Sequence, residues 1–138
     1  MARIVLANGC FDVLHPGHIA HLQEACDMGT YLVVALTVDE AVNKGPGRPL
    51  YKWTDRARVL RALRCVSEVI STSSAVAAIK HVRPHIFVKG IDYAGGDRWT
   101  EDVESACKRV GAEIRFTKAQ KQSVTDVIKR AMELCRSA

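Results

Sequence analysis

Eleven residues near the N-terminus concentrate the groups most suited to chemistry: Asn8-Gly9-Cys10-Phe11-Asp12-Val13-Leu14-His15-Pro16-Gly17-His18. Pro16 suits the first position of a helix, which sets His15 just outside that helix and His18 in its first turn. Unpaired amides at a helix start carry partial positive charge and attract phosphate, and Gly9 and Gly17 let an anion approach the backbone. Both imidazoles can then face one phosphate as hydrogen-bond donors. The loop is neither GxGxxG nor GxxxxGK[ST], so the common dinucleotide fingerprint and the P-loop are absent. His15, His18 and His21 are spaced by three, yet only Asp12 stands nearby to complete a metal set, so no metal site is assigned.

Three other segments carry charge that a ligand can meet. Asn43-Lys44-Gly45-Pro46-Gly47-Arg48-Pro49 is too rich in Gly and Pro for a helix and carries two cations, which predicts a mobile flap. Ser123 and Asp126 form a capping-box-like start for an amphipathic helix with Val124, Val127, Ile128 and Ala131 turned inward. A helix over residues 54–64 carries Arg56, Arg58, Arg61 and Arg64 around its circumference, so most of them must be solvated.

The elements that must hold these segments alternate. Apolar β-branched runs at 3–7 and 31–36 read as buried strands, with a helix between them that opens at Pro16 and stops at Gly29. A helix at 54–64, a strand at 68–71, a helix at 74–82 and a strand at 85–89 follow, Pro84 separating the last two. A helix at 100–110 closing on Gly111, a strand at 113–116 and a final helix from Ser123 complete the order. This pattern predicts an α/β fold: a single Rossmann-like domain over residues 1–138, with a parallel five-stranded sheet, right-handed crossovers and helices on both faces. Ligands then bind beyond the carboxyl ends of the strands, where the loops 8–17, 37–52 and 90–99 emerge.

Composition bounds the rest. The chain has 138 residues, 48% of them apolar, enough for one core and too few for two domains. Lys and Arg number 20 against 15 Asp and Glu, and the resulting charge of +5 favours anionic partners. No aromatic-interleaved basic patch points to nucleic acid, and no apolar run approaches the roughly 20 residues that span a bilayer. Cys10, Cys26, Cys65, Cys107 and Cys135 are scattered singly with no CxxC, and no signal-peptide pattern opens the chain. Reduced thiols and a cytoplasmic location are expected.

The stretch from Gly9 to His18, with its HxGH, resembles the signature of the cytidylyltransferase-type nucleotidyltransferases, distant relatives of class I aminoacyl-tRNA synthetases. The likeness runs over almost the whole chain. Lys44-Gly45-Pro46-Gly47-Arg48-Pro49, Asp55-Arg56 and Val88-Lys89-Gly90-Ile91-Asp92-Tyr93 are most similar to the adenylyltransferase domain of bacterial ADP-heptose synthases. Glycerol-3-phosphate cytidylyltransferases are next.

The resemblance implies an enzyme in which a phosphate oxygen of a sugar or polyol phosphate attacks the α-phosphate of a nucleoside triphosphate and releases pyrophosphate. ATP and a heptose 1-phosphate are favoured; CTP with glycerol 3-phosphate, or a non-catalytic nucleotide binder, are the alternatives. Mg²⁺ rides on the nucleotide phosphates, and small relatives imply a homodimer, with Trp53 and the arginine helix near its interface. His15, His18 and Lys44 take the catalytic places. Gly9, the amides of Cys10 and Phe11, and Arg56 face the phosphates, while Gly90 and Asp92 lie against the nucleoside. Asp39 matches an acidic position near the acceptor, and a cap or turn role remains open for it. Asp12 is open between a metal-linked role and ordering its own loop, and Lys89 between a strand-end ion pair and a phosphate ligand. Relatives carry an arginine followed by Ser-Thr-Thr where this chain has Lys118 and Ser123-Val124-Thr125, so phosphate contact is kept in outline without the guanidinium fork. Lys121 is a substitute for that cation.

Overall fold

A computed structural model of the chain describes residues 1–90, 99–119 and 124–137. Five strands, β1 (Ile4–Gly9), β2 (Tyr31–Thr37), β3 (Glu68–Thr72), β4 (Ile86–Gly90) and β5 (Glu113–Thr117), form one parallel sheet in the order β3-β2-β1-β4-β5. The helices are α1 (Pro16–Asp27), α2 (Trp53–Arg61), α3 (Ala75–Val82), α4 (Trp99–Val110) and α5 (Val124–Ser137), with a 3-10 turn at Asp39–Ala41. The expected α/β architecture is therefore observed. β1 lies at the centre, and the chain leaves it toward β2 on one side and β4 on the other, so the strand order reverses beside the first loop.

Strand alternation divides the core into two layers. Val5, Ala7, Leu32, Val34, Leu36, Ile86 and Val88 meet Leu22 and Ala25 of α1 and Ala57 and Leu60 of α2. Leu6, Val33, Ala35 and Phe87 face the other way, onto Ala78 and Ile79 of α3 and Val103, Ala106 and Cys107 of α4. Burial on both faces explains why the central strands read as continuous apolar runs. All five cysteines are free thiols.

Several expectations are corrected in detail. β1 runs two residues beyond Ala7, because Asn8 and Gly9 continue the register with Ala35 and Leu36 and the Asn8 side-chain Nδ2 donates to the Ala35 carbonyl at 2.9 Å. α2 stops at Arg61, where the amides of Ala62 and Leu63 turn to the carbonyls of Val59 and Leu60 in tighter i→i+3 bonds. Gly29 follows α1 without a left-handed φ. Its glycine is needed because a Cβ there would stand 2.5 Å from the Arg3 carbonyl oxygen. The inward face predicted for the last helix is found only in part: no α5 residue is buried, Val124 and Ile128 are half-buried, and Val127, 62% exposed, and Ala131 face solvent. No described helix is long and apolar enough to cross a membrane.

Candidate functional site

The first loop leaves β1 at the carboxyl edge of the sheet and enters α1 through a reciprocal cap. His15 is the N-cap residue, and its Nδ1 accepts from the amides of Gly17 at 3.1 Å and His18 at 3.3 Å. His18, three residues on, accepts the His15 amide through its own Nδ1 at 3.3 Å. The two rings stack with centroids 3.7 Å apart, and Phe11 meets His18 edge-on at 5.1 Å. This is a capping box built from imidazoles instead of Ser and Glu, which gives a physical reason for the three-residue spacing. With both Nδ1 atoms accepting, each neutral ring carries its proton on Nε2.

Burial, with the charges of His15, Lys44 and His21 behind it, pulls the His18 pKa down to about 3. His18 is accordingly neutral around pH 7, a hydrogen-bond donor and not a cation. The structure brings His15 and His18 together, while Lys44 is exposed on the flap, its charge contributing to the lowered His18 pKa.

Arg56 occupies a different place from a solvated phosphate ligand. It is 2% exposed, while Arg58 and Arg61 on the same helix, and Arg64 just beyond it, are exposed as expected. Its Nε donates to the Tyr51 carbonyl at 2.9 Å, its Nη1 to the carbonyls of Cys10 and Thr37 at 2.9 Å each, and its Nη2 to Asp39 Oδ1 at 2.6 Å. Four of the five guanidinium donors thus hold protein atoms. Across a trans peptide the C=O and N–H point opposite ways, so binding the Cys10 carbonyl aims the Phe11 amide away from Arg56. Phe11 itself sits at φ 47°, in the left-handed region uncommon for a side chain of its bulk. Asp39 lies in the 3-10 turn after β2 as the ion-pair partner of Arg56. Gly9 ends β1, its carbonyl accepting from Thr37 Oγ1 at 3.2 Å.

Asp12 resolves differently from either reading offered for it. The carboxylate is buried and accepts from the Leu50 amide at 2.6 Å, the Tyr51 amide at 3.0 Å and Arg48 Nε at 3.0 Å, while Arg48 Nη2 donates to its main-chain oxygen. It orders the flap, not its own loop. Burial works against the charged carboxylate, but the two amides and Arg48 outweigh it and hold the pKa below the ordinary value.

At the other side of β1, Lys89 lies near the end of β4 with Nζ 3.4 Å from the Asn8 carbonyl oxygen. Burial lowers its pKa to about 8, against an upward pull from Cys10. His21 Nδ1 pairs with Thr117 Oγ1 at 2.6 Å, joining α1 to the end of β5. A Cβ on Gly90 would meet nothing within 4 Å among the described residues. Lys118 follows β5, its amide donating to Glu24 Oε1 at 3.1 Å and that of Ala119 to Glu24 Oε2 at 2.9 Å. Glu24 of α1 thereby holds the segment leading toward α5, where Thr125 is exposed in the first turn. Asp92, Lys121 and Ser123 lie outside the described residues. Arg48, His21, Thr117 and Glu24 received no site role from sequence. Their roles are contacts between distant segments, and the only signal in the chain was an arginine inside a Gly-Pro loop.

A helix N-terminus carrying paired imidazoles, set at the strand-order reversal of a parallel sheet, defines a phosphate-handling α/β protein of the nucleotidyltransferase class. Residues 6–130 match the cytidylyltransferase-like family, and the chain belongs to it. It is 44% identical over 108 residues to the bifunctional protein HldE of Azorhizobium caulinodans, covering 75% of this chain and 22% of that one. To the bifunctional protein HldE of Aliarcobacter butzleri it is 38% identical over 135 residues, 95% of this chain and 27% of the other. The chain therefore spans about a quarter of the length of these relatives. Among solved structures, the lipopolysaccharide core biosynthesis protein from Thermoplasma volcanium superposes with a TM-score of 0.71 at 25% identity, covering 89% of this chain and all of that one. Pantoate-beta-alanine ligase from Francisella tularensis, at 13% identity and a TM-score of 0.63, shares the fold over 88% of this chain and 60% of its own.

Proposed function

We propose that this chain is a nucleotidyltransferase that moves a nucleoside monophosphate from a nucleoside triphosphate, ATP foremost, to the phosphate of a heptose 1-phosphate, releasing pyrophosphate. The observation that carries this reading is the imidazole capping box: two stacked rings fixed through Nδ1 to backbone amides at the start of α1, which puts the proton of each neutral ring on Nε2. The relatives named HldE and the lipopolysaccharide core biosynthesis neighbour support the heptose acceptor.

In this reading the acceptor oxygen attacks the α-phosphorus and the bond to the bridging oxygen breaks, so pyrophosphate leaves with the electron pair. His15 and His18 donate to the equatorial and leaving oxygens, and Lys44 adds a movable cation from the flap. Gly9 and the amides of Cys10 and Phe11 line the phosphates, and Arg56 acts by aiming the Phe11 amide. Gly90 and Asp92 lie against the nucleoside, Asp39 toward the acceptor, and Lys118, Ser123 and Thr125 along the triphosphate. Mg²⁺ neutralises phosphate charge when bound. The carboxylate of Asp12 is fully engaged and Asp39 is paired with Arg56, which fits an ion held by the nucleotide and water. A cytoplasmic homodimer is part of the proposal.

The test crosses four nucleoside triphosphates with heptose 1-phosphate, glycerol 3-phosphate and other sugar phosphates, with Mg²⁺, and reads pyrophosphate release. ATP with heptose 1-phosphate should give the highest kcat/KM. Preference for CTP and glycerol 3-phosphate would replace the substrate assignment, and nucleotide binding without turnover for any pair would make the chain a binder.

A further inference from the structure

We propose that Arg48 is a positioning residue: through Asp12 it latches the flap to the histidine loop and so sets where Lys44 stands. Its kinetic test rests on the nucleotidyl-transfer reading. Its structural test does not.

Arg48 is out of character for its surroundings. Residues 43–47, 50 and 51 of the flap are exposed, yet the Arg48 side chain is 10% exposed and that of Asp12 is 0%. An ion pair withdrawn this far from water is held only where geometry is good and the remaining lone pairs are satisfied. Here they are. Arg48 reaches the carboxylate through Nε and the main-chain oxygen of the same residue through Nη2, while the Leu50 and Tyr51 amides fill both carboxylate oxygens. Every acceptor of Asp12 is thus turned to residues 48–51, across a sequence gap of 36 to 39 residues.

The chain runs from this clasp to the chemistry in both directions. Asp12 is three residues before His15, the N-cap of α1. On the other side, the Arg48 amide donates to the Gly45 carbonyl at 3.3 Å, closing a turn in which Gly45 and Gly47 have φ of 105° and 76°. Lys44 enters that turn, and its charge lowers the His18 pKa. Asp12, His15 and His18 on one loop and Arg48, the turn and Lys44 on the other are therefore tied together at the Asp12–Arg48 clasp. A guanidinium suits the clasp because its planar fork grips two acceptors of one residue, which an ammonium cannot reproduce.

The kinetic experiment is a double-mutant cycle on kcat/KM with ATP and heptose 1-phosphate, using Arg48→Met, Lys44→Ala and the pair, each confirmed folded by circular dichroism. If Arg48 acts through Lys44, Arg48→Met lowers kcat/KM by about tenfold or more alone and by less than about twofold in the Lys44→Ala background. Arg48→Lys, which keeps a cation opposite Asp12, should recover little of the loss, and it replaces Arg48→Met should that variant fail to fold. Effects that multiply in the double variant, or full activity in Arg48→Lys, would overturn the proposal.

The second experiment is limited trypsin digestion of the unliganded chain, following cleavage after Lys44 against cleavage within the sheet and helices. Loss of the latch should speed the Lys44 cut by about tenfold while the other sites keep their order and rate, the mark of local opening. Unchanged cleavage after Lys44, or acceleration at all sites together, would overturn the latch. An inactive wild-type protein would refute the nucleotidyl-transfer reading and leave this second experiment to decide on Arg48.

Discussion

His18 shows how one side chain is tuned by its place. Its folded pKa of about 3 lies below the ordinary 6.5, so the stability tied to its neutral form is whole above pH 6.5 and is lost as pH falls from there toward 3. In the unliganded protein its ring-proton NMR signal should stay flat from about pH 8 to about pH 5, where an ordinary histidine titrates. A midpoint near 6.5 would show the ring to be solvated. Replacing His18 by Ala should leave a folded protein whose turnover falls by about 10²- to 10³-fold, the usual effect of losing one preorganised donor. The check is pyrophosphate release beside a thermal melt, and near wild-type turnover would remove His18 from the chemistry.

Elements are joined by contacts as local as these. The turn after α1 docks against β1, with the amides of Thr30 and Tyr31 donating to the Arg3 carbonyl at 2.9 and 3.3 Å. A Cβ at Gly29 would press on that same oxygen, which is backbone and cannot swing aside. Gly29→Ala should therefore destabilise the fold by about 1–3 kcal/mol, measured by urea denaturation. In the last turn of α1, Glu24 fixes the Lys118 backbone without engaging the lysine side chain. Lys118→Arg should then fold normally and raise nucleotide affinity by restoring a planar fork, whereas Lys118→Ala should lower it, both read as the KM for ATP. If Lys121→Ala alone weakens nucleotide use, the cation belongs to Lys121, and Ser123 and Thr125 return to capping the helix.

At the scale of the molecule, the sheet gathers the ends of β1, β2, β4 and β5 on one edge, and Arg48 and Arg56 lock the loops that leave β1 and β2. Arg56 holds the end of β2 to the first loop and the flap base, and Arg48 holds the flap to the same loop. Trp53, expected near an interface, turns its indole N–H to the Leu36 carbonyl at 3.0 Å and packs against the core, with Arg61 over its ring. Light scattering at working concentration tests the proposed homodimer, and a fully active monomer would refute it.

The architecture was legible in the sequence because both strand faces are buried: apolar runs, Pro16, Gly111 and the alternation of elements each follow from local rules. His15 and His18 were legible for the same reason, since a helix start dictates where residues on either side of Pro-Gly must lie. What the chain alone could not disclose are bonds whose partners lie tens of residues apart. No local pattern turns Asp12 toward residues 48–51, buries Arg56 among four carbonyl and carboxylate oxygens, or makes Gly29 necessary through the carbonyl of Arg3, 26 residues before it. Those choices follow from the packing of β1, β2 and the flap against one another, where a buried charge is tolerated only if distant segments supply its partners.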